Sequence, residues 1–566
     1  MQLLVHLFGG KIQEGDVGEY GQNSIYIEKD TPIFKGMGPK ETVLLTHRDA
    51  AVKTGDDLCV TARSANGIIA AVQHLKLPLW GVQFHPEVEL TVNGKTIFNN
   101  FLNLCGCKFS YTLKDREQQA IDLIRERTAN GEKVLCLLSG GVDSTVCSVL
   151  MVKALGPERV ICIHIDHGFM RLNESEQVMK TLKSLNLKVK LVDAREEFLQ
   201  ATTEMPAKKG LSSYMTRKLC ETVNPEEKRT IIGDTFMRVC NRVIKEMNLD
   251  VEHLMLAQGT LRPDLIESGS EHASKTADTI KTHHNDTAVV RHLRNTGRII
   301  EPLCEYHKDE VIQLAKVLGI PESLAARQPF PGPGLAIRIL CTDGALSEDE
   351  KVVSITSQVK DICAGRAQGM NDCLRGAMNT MHPSMCVLPI KTVGVQGDNR
   401  SYSYAAAISL GYFPSEEEWI KLLCIARFVP MRVRELNRVV YLFGERQEES
   451  PRSITQTFLV PEVVDKLRIA DDIVSRILLD HSLTRKLSQV PVILLPIGFG
   501  KSNSYSIVIR TFITNDFMTG VAATPGTDVM PLSVLEQIVT ELLKLSFVSR
   551  VMFDLTSKPP GTTEWE

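Results

Sequence analysis

Lys133-Val-Leu-Cys-Leu-Leu-Ser139-Gly140-Gly141-Val142-Asp143-Ser144-Thr145 decides the fold: an apolar strand runs into a glycine pair and straight on into the helical pattern TVCSVLMVKAL. A glycine pair lets the backbone turn tightly and approach a ligand, and the N–H groups opening the next helix point at an anion. Ser139, Ser144 and Thr145 add hydroxyl donors. A plain strand-to-helix turn with a capping serine would also produce this pattern. The segment is not a Walker A loop, because no Gly-Lys-Ser/Thr follows at the required spacing. Gly500-Lys501-Ser502 supplies that tripeptide, but Leu495 stands where the leading glycine belongs, so it reads as a surface turn.

Beyond the loop, strand and helix alternate through RVICIHID, EQVMKTLKSL and KVKLVDA, the signature of βαβ units in a doubly wound parallel sheet. This unit is expected over residues 108–328, from a linker near 108–114 to the break at QPFPGPGLAIR. Residues 1–107 carry short apolar segments divided by Gly, Asn, Asp and Pro, which suggests the sheet-heavy half of an α/β domain. Residues 329–566 mix long helical segments with strong strands and predict an α+β domain with an insertion. The chain opens directly into Leu3, Leu4, Val5, Leu7 and Phe8, spaced like a buried helix face, as though the start of a domain were missing.

Composition narrows the function classes. With 65 Lys+Arg against 68 Asp+Glu the net charge is −3, so there is no overall electrostatic case for binding nucleic acid or an anionic membrane. No window reaches the roughly 18 apolar residues of a membrane span, and MQLLVHLFGGK lacks the features of a signal peptide. The 14 cysteines are scattered, and the close pair Cys105/Cys107 has no partner pair at zinc spacing. Reduced thiols in a soluble cytosolic protein are expected.

The string SGGVDST resembles the pyrophosphate loop of the ATP pyrophosphatase superfamily, whose members cleave ATP between the α and β phosphates and pass AMP to a substrate oxygen. Across its length the chain resembles the GMP synthetase family, in PEEKRTIIGDTF (225–236), LAQGTLRPDLIES (256–268), IKTHHND (280–286), PFPGPGLAIR (329–338), LPIKTVGVQGD (388–398) and DLTSKPPGTTEWE (554–566). The resemblance implies that ATP adenylates the C2 oxygen of xanthosine 5′-phosphate (XMP) and ammonia then displaces AMP to give GMP. It implies ATP contacts from Ser139, Gly140, Gly141, Val142, Asp143, Ser144 and Thr145, and XMP contacts from Arg229, Asp398, Gln489, Lys558 and Glu564. A guanidinium fork at Arg229 suits a phosphate or a planar oxygen edge, although PEEKR alone reads as a solvated helix face. The tail from Lys558 to Glu564 has the composition of a disordered end, and the resemblance makes it a strap over XMP.

Residues 261–290 are polar and without apolar period, a candidate mobile lid. Its Asp264, Glu267, Lys281, His283 and His284 could supply ligands for Mg²⁺ and cations for the departing pyrophosphate. Of these, Lys281, Asp264 and Glu267 are the candidates for catalysis. Mg²⁺ is implied with the ATP phosphates, its protein ligands unassigned. Asp166 closes RVICIHID at the carboxyl edge of the sheet, where nucleotides bind in such folds. His167 and Gln328 stand where the family usually has Asn and His, which leaves their roles open.

Gly81-Val-Gln-Phe-His85-Pro86-Glu87 resembles the HPE motif of class I glutamine amidotransferases, whose Cys-His-Glu triad frees ammonia from glutamine. Residues 1–107 are thus expected to be part of such a domain, with His85 and Glu87 two of its three catalytic groups. Met1-Gln2-Leu3-Leu4 aligns with the end of the family string that carries the cysteine, which would lie upstream of Met1. None of the 14 cysteines present sits in a G-x-C-x-G elbow, so glutamine hydrolysis is not expected, and ammonia is the expected nitrogen donor. Other adenylating ligases with the same loop, such as NAD synthetase, and a non-catalytic protein keeping the fold are the competing readings. A monomer and a homodimer are both compatible with the long last domain.

Overall fold

Strand Lys133–Leu137 occupies the middle of a five-stranded parallel sheet in the computed structural model, ordered Ile299–Ile300, Leu254–Ala257, Lys133–Leu137, Val160–Asp166, Val189–Asp193. The structure describes residues 1–88, 90–108, 116–206, 212–249, 253–262, 297–325, 328, 330–344, 350–396, 399–514 and 519–566. Alternate residues of these strands enter two different cores, as a sheet covered on both faces requires. Val134, Cys136, Cys162 and Met255 face helices Arg116–Arg127, Val142–Leu155 and Lys308–Val317. Leu135, Ile163, Leu254 and Leu256 face helix Pro225–Glu246 in a second core, which continues without a break into the C-terminal half.

The C-terminal half is built on a six-stranded mixed sheet, ordered Ser384–Gln396, Asn399–Ser409, Leu436–Leu442, Val548–Asp554, Tyr505–Ile509, Val492–Leu495. Helices Glu416–Arg432, Pro461–Asp480 and Leu532–Leu543 bury Trp419, Leu467, Val474, Leu535 and Ile538 on it. The chain's last residues do not trail away. Pro560 and Trp565 carbonyls accept from Val395 and Val393 N–H at 2.8 and 2.9 Å, so the tail lies along the edge strand Ser384–Gln396. Trp565 is fully buried.

The front segment forms a five-stranded antiparallel sheet, ordered Lys40–Lys53, Lys11–Ile27, Leu58–Ser64, Ile69–His74, Trp80–Val82. Helix Gly94–Leu104 contributes Ile97 to the core on one face, and helix Gln2–Leu7 contributes Val5 to the core on the other. The opening apolar run is therefore helical, but Leu3 and Leu7 are 70% and 69% exposed. A 3.6-residue period puts Met1, Leu4, Val5 and Phe8 on the packed side and turns Leu3 and Leu7 away from it. No helix among the described residues is long and apolar enough to cross a membrane.

Candidate active site

The chain leaves strand Lys133–Leu137 toward Val160–Asp166 and later returns to its other side with Leu254–Ala257. Strand order therefore reverses at this point, and the crevice outside the carboxyl ends is where an open α/β sheet receives a ligand. The glycine pair sits in that crevice. Gly140 takes φ 82°, a conformation that favours glycine, and Gly141 is extended at the start of helix Val142–Leu155. Ser139 Oγ accepts from Gly141 N–H at 3.3 Å and lies 3.2 Å from Ser144 Oγ. Ser144 and Thr145 both donate to the Gly141 carbonyl, at 3.1 and 2.9 Å. Thr145 is fully buried and Val142 packs in the core, so the hydroxyls at the open side of the loop are Ser139 and Ser144.

Two neighbours of the loop were not singled out in the sequence. Lys308, at the start of its helix, places Nζ 2.6 Å from Asp143 Oδ2. Gly259, just beyond strand Leu254–Ala257, comes so close that a Cβ there would sit 2.9 Å from the Asp143 carbonyl carbon and 3.1 Å from Ser144 N. On the other side of the crevice, Asp166 accepts from Arg195 at 3.1 and 2.7 Å and from Gly168 N–H at 3.0 Å. Burial works to raise the Asp166 pKa, but the Arg195 and Gly168 hydrogen bonds win and hold the carboxyl below its usual range. Among the described residues no three His, Cys, Asp or Glu side chains form a metal cluster.

His167 does not face the crevice. Its ring lies 5.4 to 5.7 Å from those of Phe169, Phe198 and Phe236, and a Cβ on Gly334 would approach it to 2.9 Å. It therefore packs the parallel-sheet unit against the PFPGPG segment. Burial pushes its pKa down to about 4. Because the folded value lies below the usual 6.5, the unfolded chain takes the proton first. The stability of the neutral ring is complete above pH 6.5 and is lost as pH falls toward 4. Urea unfolding is expected to show a cost of about 2 kcal/mol between pH 7 and 5 that His167→Asn abolishes; an identical pH slope in the variant would contradict this.

Arg229, Gln489, Lys558 and Glu564 lie where the tail meets the parallel-sheet unit. The short pair Phe512–Ile513 and Val521–Ala522 holds Gln489 at one edge, through main-chain bonds to Phe512 at 2.9 and 3.2 Å. Lys558 lies at the other edge, through bonds to Gly520 at 2.8 and 3.1 Å. Gln328 donates to the Leu487 carbonyl at 3.2 Å and so steadies the segment that carries Gln489. Six residues after Lys558, the Glu564 carboxylate is engaged by the buried Arg338. Arg229, on helix Pro225–Glu246, donates to a main-chain oxygen of Glu566, and its neighbour Lys228 reaches the Glu566 side chain. Asp398, Asp264, Glu267, Lys281, His283 and His284 lie outside the described residues. Gly500-Lys501-Ser502 is a surface turn, with Lys501 Nζ 3.2 Å from the Ser546 carbonyl.

In the front segment, His85 Nδ1 and Glu87 Oε1 are 2.8 Å apart, both half-exposed. Burial works to raise the Glu87 pKa, but the His85 hydrogen bond and charge keep it low. The strand leading to this pair passes the opening helix, since a Cβ on Gly81 would lie 3.1 Å from Met1 Cα. A carboxylate that orients an imidazole is the arrangement acyl transfer needs beside a thiolate.

Three stretches of the chain match known families. Residues 1–105 match the family "Glutamine amidotransferase class-I", residues 115–220 match "NAD synthase", and residues 477–565 match "GMP synthase C terminal domain". The whole chain is 46% identical to "GMP synthase [glutamine-hydrolyzing]" of Dictyostelium discoideum, covering 82% of that protein. It is also 41% identical over its full length to "Probable GMP synthase [glutamine-hydrolyzing]" of Caenorhabditis elegans, covering 81% of it.

Proposed function

This chain belongs to the glutamine-hydrolysing GMP synthase family, and from that premise we propose that it adenylates XMP at the C2 oxygen with ATP and lets ammonia displace AMP to form GMP. The observation that carries the proposal is the loop Ser139–Thr145 lying at the reversal point of a doubly wound parallel sheet. Residues 108–328 are the adenylating unit and residues 329–566 the XMP-binding unit. Ser139, Ser144 and the helix start receive the pyrophosphate, with the Lys308 cation beside them. Adenylyl transfer is mainly charge neutralisation and positioning, which is what this set of groups can do.

Mg²⁺ fits the donors present: Asp143 Oδ1 is buried without a hydrogen-bond partner, a hard oxygen left over for a hard cation. Bound there with the ATP phosphates, Mg²⁺ would supply charge neutralisation. Arg229, Gln489, Lys558 and Glu564, together with Asp398, hold XMP, and Asp264, Glu267 and Lys281 are the candidates for catalysis. The cytosol is the proposed location, in keeping with scattered cysteines that form no disulfide among the described residues.

The nitrogen source follows from the cysteines. Residues 1–105 match the class I amidotransferase family and His85 Nδ1 lies 2.8 Å from Glu87 Oε1, but none of the 14 cysteines stands in a G-x-C-x-G elbow. A polypeptide of these 566 residues therefore uses free ammonia. The test is XMP-dependent pyrophosphate release and GMP formation with ammonium or glutamine as donor. Turnover with ammonium is expected, and turnover with glutamine at least about 1,000-fold slower, the scale of losing a triad nucleophile. Equal rates would overturn the ammonia assignment, and no GMP from either donor would overturn the synthase assignment.

A further inference from the structure

Glu564 is held by a side chain that the proposed function does not use. Arg338 closes on it with both prongs, Nε to Oε2 at 2.9 Å and Nη2 to Oε1 at 2.8 Å. Arg338 itself belongs to the 3-10 turn Gly334–Arg338 that follows the PFPGPG prolines, and it is 1% exposed. Its remaining nitrogen faces Asp471 at 3.9 Å, and Asp471 also receives Arg171 at 3.3 Å. The Phe330 ring lies against both guanidiniums, 5.2 Å from Arg338 and 4.6 Å from Arg171. The guanidinium is thus stacked on a ring and forked on one carboxylate, with a second carboxylate 3.9 Å from its third nitrogen, and these contacts restrict its orientation.

A fork of this kind occupies about two of the four lone-pair directions of a carboxylate and leaves the others to accept. The Glu564 side chain keeps 15% of its surface against 1% for Arg338, so those outer directions remain reachable. An ionised carboxylate only accepts hydrogen bonds, and it suits the O–H groups of a ribose or the N–H edge of an oxidised purine. We infer that Arg338 is a positioning residue for XMP binding: it fixes the Glu564 carboxylate with its accepting edge toward the nucleotide. This rests on the assignment of Glu564 to the XMP site. Two residues on, Lys228 anchors the tail independently, bonding to the Glu566 carboxylate and, at 2.9 Å, to the Ile339 carbonyl next to Arg338.

The test uses ammonia-driven GMP synthesis by the full chain, with initial rates over XMP and over ATP and a thermal melt for each variant. Glu564→Gln and Arg338→Met are each expected to raise KM for XMP by about 10- to 100-fold, with KM for ATP within about two-fold of the parent. Arg338→Lys, which returns the charge without the fork, is expected to recover part of the loss. Because both residues act through one carboxylate, Arg338→Met with Glu564→Gln is expected to be no worse than Glu564→Gln alone by more than about three-fold. A double variant whose defect is the product of the two singles would overturn the inference, as would an Arg338→Met that lowers the melting temperature while leaving KM for XMP unchanged. If Arg338→Met does not fold, Arg338→Lys decides, since a parental KM for XMP in that variant rules out a need for the fork. Should Glu564→Gln leave KM for XMP unchanged, the assignment of Glu564 falls and this inference with it. If Glu564→Gln raises it and neither Arg338 variant does, only the inference falls.

Discussion

Asp554→Ala is expected to cost about 3–5 kcal/mol of stability, the scale of breaking a buried ionic network by removing one member. Asp554 ends the strand Val548–Asp554 with no exposed surface. Its carboxylate accepts from Arg438 at 3.1 Å, Arg510 at 2.8 Å, Trp565 Nε1 at 2.9 Å and Thr556 N–H at 2.9 Å. Burial alone would raise its pKa, yet the Arg510 and Arg438 charges hold it below the usual carboxylate range. Both guanidiniums are themselves fully buried, so alanine leaves two like charges facing each other in the core. Trp565 loses its acceptor as well, and the tail it anchors carries Lys558 and Glu564. Urea unfolding should therefore show a lower midpoint, and KM for XMP should rise in whatever folded fraction remains. Glu158→Ala, which removes an exposed partner of Lys188, serves as the control and is expected to leave the midpoint in place. An unshifted midpoint for Asp554→Ala would contradict the account.

Local pattern made the glycine loop and the parallel sheet legible, because a strand, a glycine pair and a helix follow one another within thirteen residues. The ionic partners were not legible, since folding brings them together from far apart: Asp166 with Arg195 across 29 positions, Asp143 with Lys308 across 165, Glu564 with Arg338 across 226. No spacing rule connects residues so remote. Lys228 is a different case. In PEEKR it reads as solvated, but the structure buries it completely. The helical period already placed it in line with Ile232, Thr235 and Val239, at intervals of four, three and four residues along the buried face of Pro225–Glu246. A cation in an apolar stripe predicts a buried carboxylate opposite, here Glu566, though not which one. In the opening helix the same period, applied strictly, separates Val5 from the exposed Leu3 and Leu7.

Gly259→Val is expected to lower kcat/KM for ATP by about 100-fold or more, because a displacement of about 1 Å in a reacting group has an effect of that size. The reason is steric. Gly259 does not adopt a left-handed backbone, so valine meets no conformational penalty of the kind Gly140 would impose. What it meets is main chain: the first carbon alone falls 2.9 Å from the Asp143 carbonyl carbon, 3.0 Å from its oxygen and 3.1 Å from Ser144 N. Backbone atoms of a helix's first turn cannot swing aside as a side-chain end can, so the loop itself must move. Gly259→Ala should show a smaller defect of the same kind, since one carbon asks for a shift of only a few tenths of an ångström. KM for XMP should hold in both, because Arg229, Gln489, Lys558 and Glu564 are positioned by other segments. Lys501→Ala, in the turn that imitates a Walker loop, should leave ATP kinetics unchanged. If Gly259→Val retained parental ATP kinetics while Lys501→Ala lost them, the nucleotide would belong at the second loop, and the reversal point of the parallel sheet would lose its assignment as the site of adenylation.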